Sequence, residues 1–203
     1  MSRSKNSESN RKGRVDKAEQ ILNGATQEFL KHGYAATSMD RVAAAAKVSK
    51  QTLYSYFQDK ETLFTTLIER MAKGRFQLVF GSVPLQGEPQ TVLRQLVQTG
   101  LSRIATDQEY LSFVRVVIAE SGRFPHLAQV FVSNITKPAL ETLTLYFASH
   151  PELKIADPQA SARIFVGSII AFVLTQEVLH GKELMPMESD RLIDSLIHSV
   201  LHQ

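Results

Sequence analysis

The sequence predicts an all-α protein, and three observations predict it. Apolar residues recur at three- and four-residue spacing along nearly the whole chain, the period of a helix buried on one face. No β-alternation of useful length and no internal repeat interrupts that pattern. The breaks fall at Gly- and Pro-marked segments, where helices end and chains turn.

The first 14 residues hold Arg3, Lys5, Arg11, Lys12 and Arg14 among Ser and Asn. A segment this polar is expected to be a disordered basic arm, with contact to DNA phosphate or the minor groove as its sharper use. From about Val15 to Lys31 a helix is expected, because Ala18, Ile21, Leu22, Ala25 and Phe29 form one stripe. His32-Gly33 ends it, with Gly33 at a C-cap position, and Tyr34 packs back.

Residues 37–60 carry most of the chemistry. Thr37 and Asp40 have the spacing of a capping box, starting a helix near Ser38. Met39, Val42 and Ala43 form its apolar face, and Ala43 to Ala46 let a partner helix approach closely. Lys47-Val48 falls where the chain turns. Ser49 suits the cap of a second short helix, in which Leu53 and Phe57 face inward. Lys50, Gln51, Thr52, Tyr54, Ser55 and Tyr56 are left facing outward or sideways. Two short helices with a tight turn, the second rich in donors and acceptors, suit major-groove readout. Tyrosine hydroxyls and a lysine just past the helix suit phosphate oxygens.

Beyond residue 60 the pattern stays helical. Glu61–Phe80 reads as a long helix, and a loop follows from Gly81 to Pro89. Further helices are expected at about 89–106, 107–121, 125–149, 157–181 and 188–202. Phe165–Leu174 is apolar nearly all round, so it needs cover on more than one face. A second copy of the chain is the simplest cover for the outer face. Ile164, Gly167, Ser168 and Ala171, with Leu192, Leu196 and Val200 of the last helix, are the expected dimer interface.

Charge is unevenly placed. Residues 1–60 hold 11 Lys+Arg against 6 Asp+Glu, whereas 61–203 hold 12 against 14. A basic N-terminal third is the footprint of a nucleic-acid-binding end. The chain has no cysteine, which excludes disulfides, thiolate metal sites and cysteine nucleophiles. No unbroken apolar run reaches the roughly 18 residues of a membrane span, and no signal peptide is visible. These features fit a cytoplasmic protein.

An enzyme is not expected. The chain lacks a Gly-x-Ser-x-Gly elbow, a phosphate loop and a dinucleotide fingerprint. His198 and His202 are spaced i, i+4, but no third ligand accompanies them. No cofactor and no metal are expected.

Thr37-Ser-Met-Asp-Arg-Val-Ala, Val48-Ser-Lys-Gln-Thr-Leu-Tyr-Ser-Tyr-Phe and Asp59-Lys-Glu-Thr-Leu-Phe64 together resemble the DNA-binding domain of TetR-family (TetR/AcrR-type) transcriptional regulators. The resemblance covers about residues 15–65. It implies a three-helix helix-turn-helix DNA-binding domain over 15–60, after the arm of 1–14. A larger helical ligand-binding and dimerisation domain is implied over 61–203. It also implies a homodimer on a near-palindromic operator, usually released by a small molecule. By position, Thr37, Ser38, Tyr54 and Lys60 match phosphate contacts. Ser49, Lys50, Gln51, Thr52 and Tyr56 match the reading face, and Lys47 is a possible further positive charge near DNA. Such proteins often have glycine at the position of Lys47, so a left-handed backbone cost is expected there.

Phe113, Val114, Val117, Ile118, Phe131, Ile135 and Phe172 lie on helices that line the ligand cavity in similar proteins. An apolar or aromatic effector would suit them. Arg115, Glu120 and Arg123-Phe-Pro125 resemble a pattern that organises a helix junction. Two alternatives remain at this stage: a regulator that lacks a small-molecule ligand or activates, and a helical dimer that acts through protein partners.

Overall fold

The computed structural model describes residues 3–81 and 85–202, with side chains from Val15 onward. Among the described residues the secondary structure is helical, with no strand. Ten α-helices follow in order: α1 Arg3–Ala36, α2 Met39–Ala45, α3 Lys50–Tyr56, α4 Lys60–Phe80, α5 Pro89–Thr106, α6 Gln108–Glu120, α7 Pro125–Phe131, α8 Lys137–Ala148, α9 Pro158–Val173 and α10 Ser189–Leu201. Wide, π-helical turns extend α7 at Val132–Thr136 and α9 at Leu174–Val178. Pro151–Leu153 forms a single 3-10 turn.

The chain divides into two compact units. One comprises residues 1–69 and 116–128, the other residues 70–115 and 129–203. The chain therefore crosses between units inside α4, α6 and α7, not at residue 60. A helix crossing from one unit to the next leaves no Gly/Pro signal for its crossing point.

In the first unit, Ile21, Leu22, Ala25 and Phe29 of α1 form the expected stripe, and all four are buried. Val42, Leu53, Leu63, Phe64, Leu67 and Ile68 of the same unit are buried as well. Each such aliphatic or aromatic side chain contributes about 1.5–3 kcal/mol on full burial. Phe64 meets Phe29 and Tyr34 edge-on, with centroids 4.8 and 5.0 Å apart, and Tyr34 meets Phe124 at 4.8 Å. Gly24 lies against the backbone of Ala46: a Cβ there would fall 2.7 Å from the Ala46 nitrogen. The poly-Ala end of α2 thus gives the close approach that its small residues implied.

One expectation is corrected in α1. It begins at Arg3, so the backbone expected as a disordered arm continues the helix. Once a nucleus exists, adding polar residues without proline costs a helix little. The side chains of Arg3, Lys5, Arg11, Lys12 and Arg14 lie outside the described residues. Gly33 breaks the helix with φ 75° and ψ 172°, a conformation that only glycine adopts without strain.

In the second unit, α5, α8, α9 and α10 supply a core of Leu93, Leu96, Val97, Phe147, Phe165, Ile193 and Ile197. Glu88 caps α5 by accepting from the Gln90 and Thr91 amides, and Asp157 caps α9 by accepting from Ala160. Arg115 donates from Nε to the Val178 carbonyl (2.8 Å) and from Nη2 to that of Glu177 (2.7 Å), closing the wide turn after α9. Residues 82–84 of the expected 81–89 loop lie outside the described residues.

The predicted dimer face splits. Ile164, Gly167 and Ala171 are exposed and Ser168 is half-buried, so the α9 stripe is open. Leu196 and Val200 instead are only 7% and 4% exposed. Together with Ile193 and Ile197 they turn into their own unit's core, whereas Leu192 is half-buried. With its wide turn, the helix Pro158–Val178 also has the length and composition of a membrane span, at mean hydropathy 1.4. The expectation that nothing reached that length counted unbroken apolar runs only. Here Ala162 and Phe165 are packed into the unit's own core.

Candidate nucleic-acid interface

α2, its following turn and α3 form the predicted helix-turn-helix. Ser38, not Thr37, caps α2: its hydroxyl accepts from the Arg41 amide at 3.3 Å. Thr37 is 2% exposed, and its hydroxyl donates to the carbonyls of Gly33 (2.8 Å) and Glu28 (3.1 Å). The Thr37 side chain is therefore turned away from any phosphate. A threonine beside a broken helix end finds unpaired carbonyls closer than solvent.

The turn itself is a Schellman motif. The Lys47 amide donates to the Ala44 carbonyl at 3.1 Å, and the Val48 amide to that of Ala43 at 3.0 Å. Lys47 occupies its left-handed position, with φ 53°. The expected backbone cost is thus real, and the Lys47 side chain is exposed. Gln20 of α1 pins the turn by donating to the Ala46 carbonyl at 2.6 Å.

Ser49 caps α3 as predicted, accepting from the Thr52 amide at 3.0 Å. Its hydroxyl also pairs with that of Thr52 at 2.8 Å. Leu53 and Phe57 are buried beneath the helix. That leaves Ser49, Lys50, Gln51 and Tyr54 exposed together, with Thr52 and Tyr56 half-buried. Lys50 is held by Asp40 of α2 at 2.6 Å. Both side chains of that pair are more than half exposed, so the pair is worth little and readily exchanged for a phosphate oxygen.

Lys60 departs from its expected role. Its ammonium donates to three carbonyls at the end of α1: Tyr34 (2.9 Å), Thr37 (3.0 Å) and Ala35 (3.3 Å). All three of its hydrogens are thereby used. It also lies 4.4 Å above the Tyr34 ring. Burial pushes its pKa below the usual lysine value, while the Glu120 carboxylate pulls the other way. Glu120 accepts from the Ala35 amide at 3.0 Å. The expected junction role of this segment therefore fits what Glu120, Phe124 and Arg115 touch.

The seven predicted pocket residues differ in exposure. Phe113 and Val117 are buried, Ile118 is half-exposed, and Val114, Phe131 and Ile135 are half-buried. Phe172 alone of the seven lines the described cavity, a space of about 540 Å³ in the second unit. That cavity lies between α5 (Leu101, Ser102, Ala105), the end of α9 (Phe172, Val173, Gln176) and residues 186–190. Sequence reasoning missed it, although Gln176 continues the inward stripe of Ala162, Phe165, Ile169 and Phe172. A polar residue in line with an apolar stripe was the available signal.

Two family models match the chain. "Bacterial regulatory proteins, tetR family" matches residues 21–67, and "AefR-like transcriptional repressor, C-terminal domain" matches residues 91–202. The HTH-type transcriptional regulator YhgD of Bacillus subtilis (strain 168) is 27% identical over 177 residues, covering 82% of this chain and 87% of that protein. The HTH-type transcriptional repressor BepR of Brucella suis is 22% identical over 195 residues, covering 90% of each. Among solved structures, that of the flavonoid-responsive regulator FrrA superimposes with a TM-score of 0.76 at 28% identity, covering 92% of this chain and 96% of that one.

Proposed function

The chain belongs to the TetR family of DNA-binding transcriptional regulators, and from that premise we propose that it is a repressor, binding a near-palindromic operator as a homodimer and released by a small molecule. One observation carries the reading. Ser49, Lys50, Gln51 and Tyr54 stand exposed on a helix that Leu53 and Phe57 anchor and Ser49 caps. Such a helix holds base-reading groups in a fixed orientation.

In this reading Gln51 reads base edges, with Ser49, Lys50, Thr52 and Tyr56 beside it. Tyr54, Ser38 and Lys47 take phosphates. Lys60 and Thr37 hold the reading head rather than the DNA. The open stripe Ile164, Gly167, Ser168 and Ala171 is the seam for a second copy, and it has room. A Cβ on Gly167 would meet nothing within 4 Å. Two heads then sit one DNA turn apart, roughly 34–36 Å. Repression draws support from the AefR-like repressor match, and a small aromatic effector from the likeness to flavonoid-responsive FrrA. An effector releases DNA only through its differential affinity for the two states of the protein. A protein doing this works in the cytoplasm, where the DNA is, and needs no catalytic residue.

The test is selection of random duplex DNA by the purified chain at physiological salt. An enriched near-palindrome is expected. Gln51→Ala then relaxes preference at particular base pairs, whereas Tyr54→Ala weakens binding to all sequences alike. Salt-sensitive binding with no enriched sequence would sink the reading.

A further inference from the structure

Gln176 lines this cavity, and the fold leaves one of its polar atoms unsatisfied. Gln176 is 5% exposed, and its Nε2 donates to the Met185 carbonyl at 2.7 Å. Its Oε1 is buried with no hydrogen-bond partner among the described residues. An unpaired buried amide oxygen costs roughly 1–3 kcal/mol, and native structures rarely retain one without a use. Leu101, Phe172, Val173 and Ile193 supply the apolar part of the cavity lining, beside polar Gln98, Thr99, Ser102 and Ser189. The rim carries Glu177, Glu188 and Asp190 against the single cation Lys182, which Glu177 already pairs at 3.7 Å.

We propose that this cavity is a binding site for a small apolar or aromatic molecule bearing a hydroxyl or amine, whose N–H or O–H donates to Gln176 Oε1. The volume of about 540 Å³ suits a molecule of that class. The surplus of carboxylates at the rim disfavours anionic ligands, because a carboxylate or phosphate brought there meets like charge. The site thus selects neutral or cationic donors over fatty acids and acyl phosphates. This deepens the effector reading above and rests on it only for its biological use.

The experiment is ligand-observed NMR on the full chain, without DNA. The probes are aromatic fragments, each core supplied in four matched forms: hydroxyl, primary amine, methyl ether and carboxylate. Cavity binders are those whose signal is lost in Ser102→Trp, a bulky substitution at an exposed rim position. Cavity binders are expected among the hydroxyls and amines. Each should bind roughly ten-fold tighter than its methyl ether, with the carboxylate weakest. Gln176→Met should erase that ten-fold preference; if that variant does not fold, the matched series and Ser102→Trp decide alone. The proposal is overturned if no fragment depends on the Ser102 rim, or if ethers or carboxylates bind as well as donors. A separate DNA-binding titration with a cavity binder added tests the effector reading: unchanged operator affinity would sink that reading and leave this site standing.

Discussion

The Lys60 ammonium lies 2.9 Å from the Tyr34 carbonyl oxygen and 4.4 Å above the Tyr34 ring. Lysine at the start of α4 is thereby a clamp on the end of α1, completed by the Ala35 and Thr37 carbonyls. Lys60→Gln removes the charge and part of this network. Hydrogen bonds from a charged donor are worth roughly 1.5–3 kcal/mol, so stability should fall by about 2 kcal/mol in chemical denaturation. Operator binding should weaken, yet the slope of log affinity against log salt should stay unchanged, since no phosphate contact is lost. A slope shallower by about one would return Lys60 to the phosphate.

Lys47 makes the opposite prediction. Its left-handed backbone strains any residue with a Cβ by roughly 1–2 kcal/mol, and glycine relieves that at some entropic cost. Lys47→Gly should therefore raise stability by about 0.5–1 kcal/mol. If the exposed ammonium meets a phosphate, the same change should weaken DNA binding and flatten its salt slope by about one. Stability and affinity moving in opposite directions is the expected signature. A variant that binds DNA unchanged would leave Lys47 a residue of the turn alone.

Most of the helices were legible because helical burial leaves a period that any reader of residues 15–31 or 189–201 can follow. The cap at Ser49 was legible too, since a hydroxyl before an apolar run has few other uses. What stayed hidden was the choice among partners that tertiary structure alone offers. Thr37 and Ser38 are equivalent in sequence, and only the broken end at Gly33 decides which hydroxyl turns inward. Lys60 looks like a phosphate ligand until three bare carbonyls are brought to it. Leu196 and Val200 read as a dimer seam because an apolar stripe does not say which side of it is already filled.

Gly24 and Gly74 offer a matched pair. A Cβ at Gly24 would fall 2.7–2.8 Å from the Ala46 backbone and side chain, whereas at Gly74 it would meet nothing within 4 Å. Gly→Ala favours a helix interior by up to about 1 kcal/mol, so Gly74→Ala should stabilise by nearly that amount. At Gly24 the clash costs roughly 1–3 kcal/mol and outweighs the gain, because neither backbone yields freely. Gly24→Ala should lower the denaturation midpoint and, by prising α1 from the turn before α3, weaken operator binding. Equal effects at both positions would mean that α1 and α2 are not in close contact.

Tyr110 sets the behaviour in alkali. Burial, opposed by the charge of Arg75 4.9 Å from the ring and helped by the Asp107 carboxylate, pushes its phenol up from 10.0 to about 12. In the unfolded chain the phenol ionises near 10, so there the folded form keeps its proton longer. Above pH 10 the unfolded state binds fewer protons, and stability falls as pH rises. The contribution is full below pH 10 and is lost between about 10 and 12. At 1.36 kcal/mol per unit, the whole effect is about 2–3 kcal/mol. Tyr110→Phe should keep most of the packing and remove this slope. Denaturation of the two proteins at pH 8 and pH 11 measures it: the wild type should lose more stability than the variant. Parallel losses would show that Tyr110 ionises in the folded chain as easily as in the unfolded one.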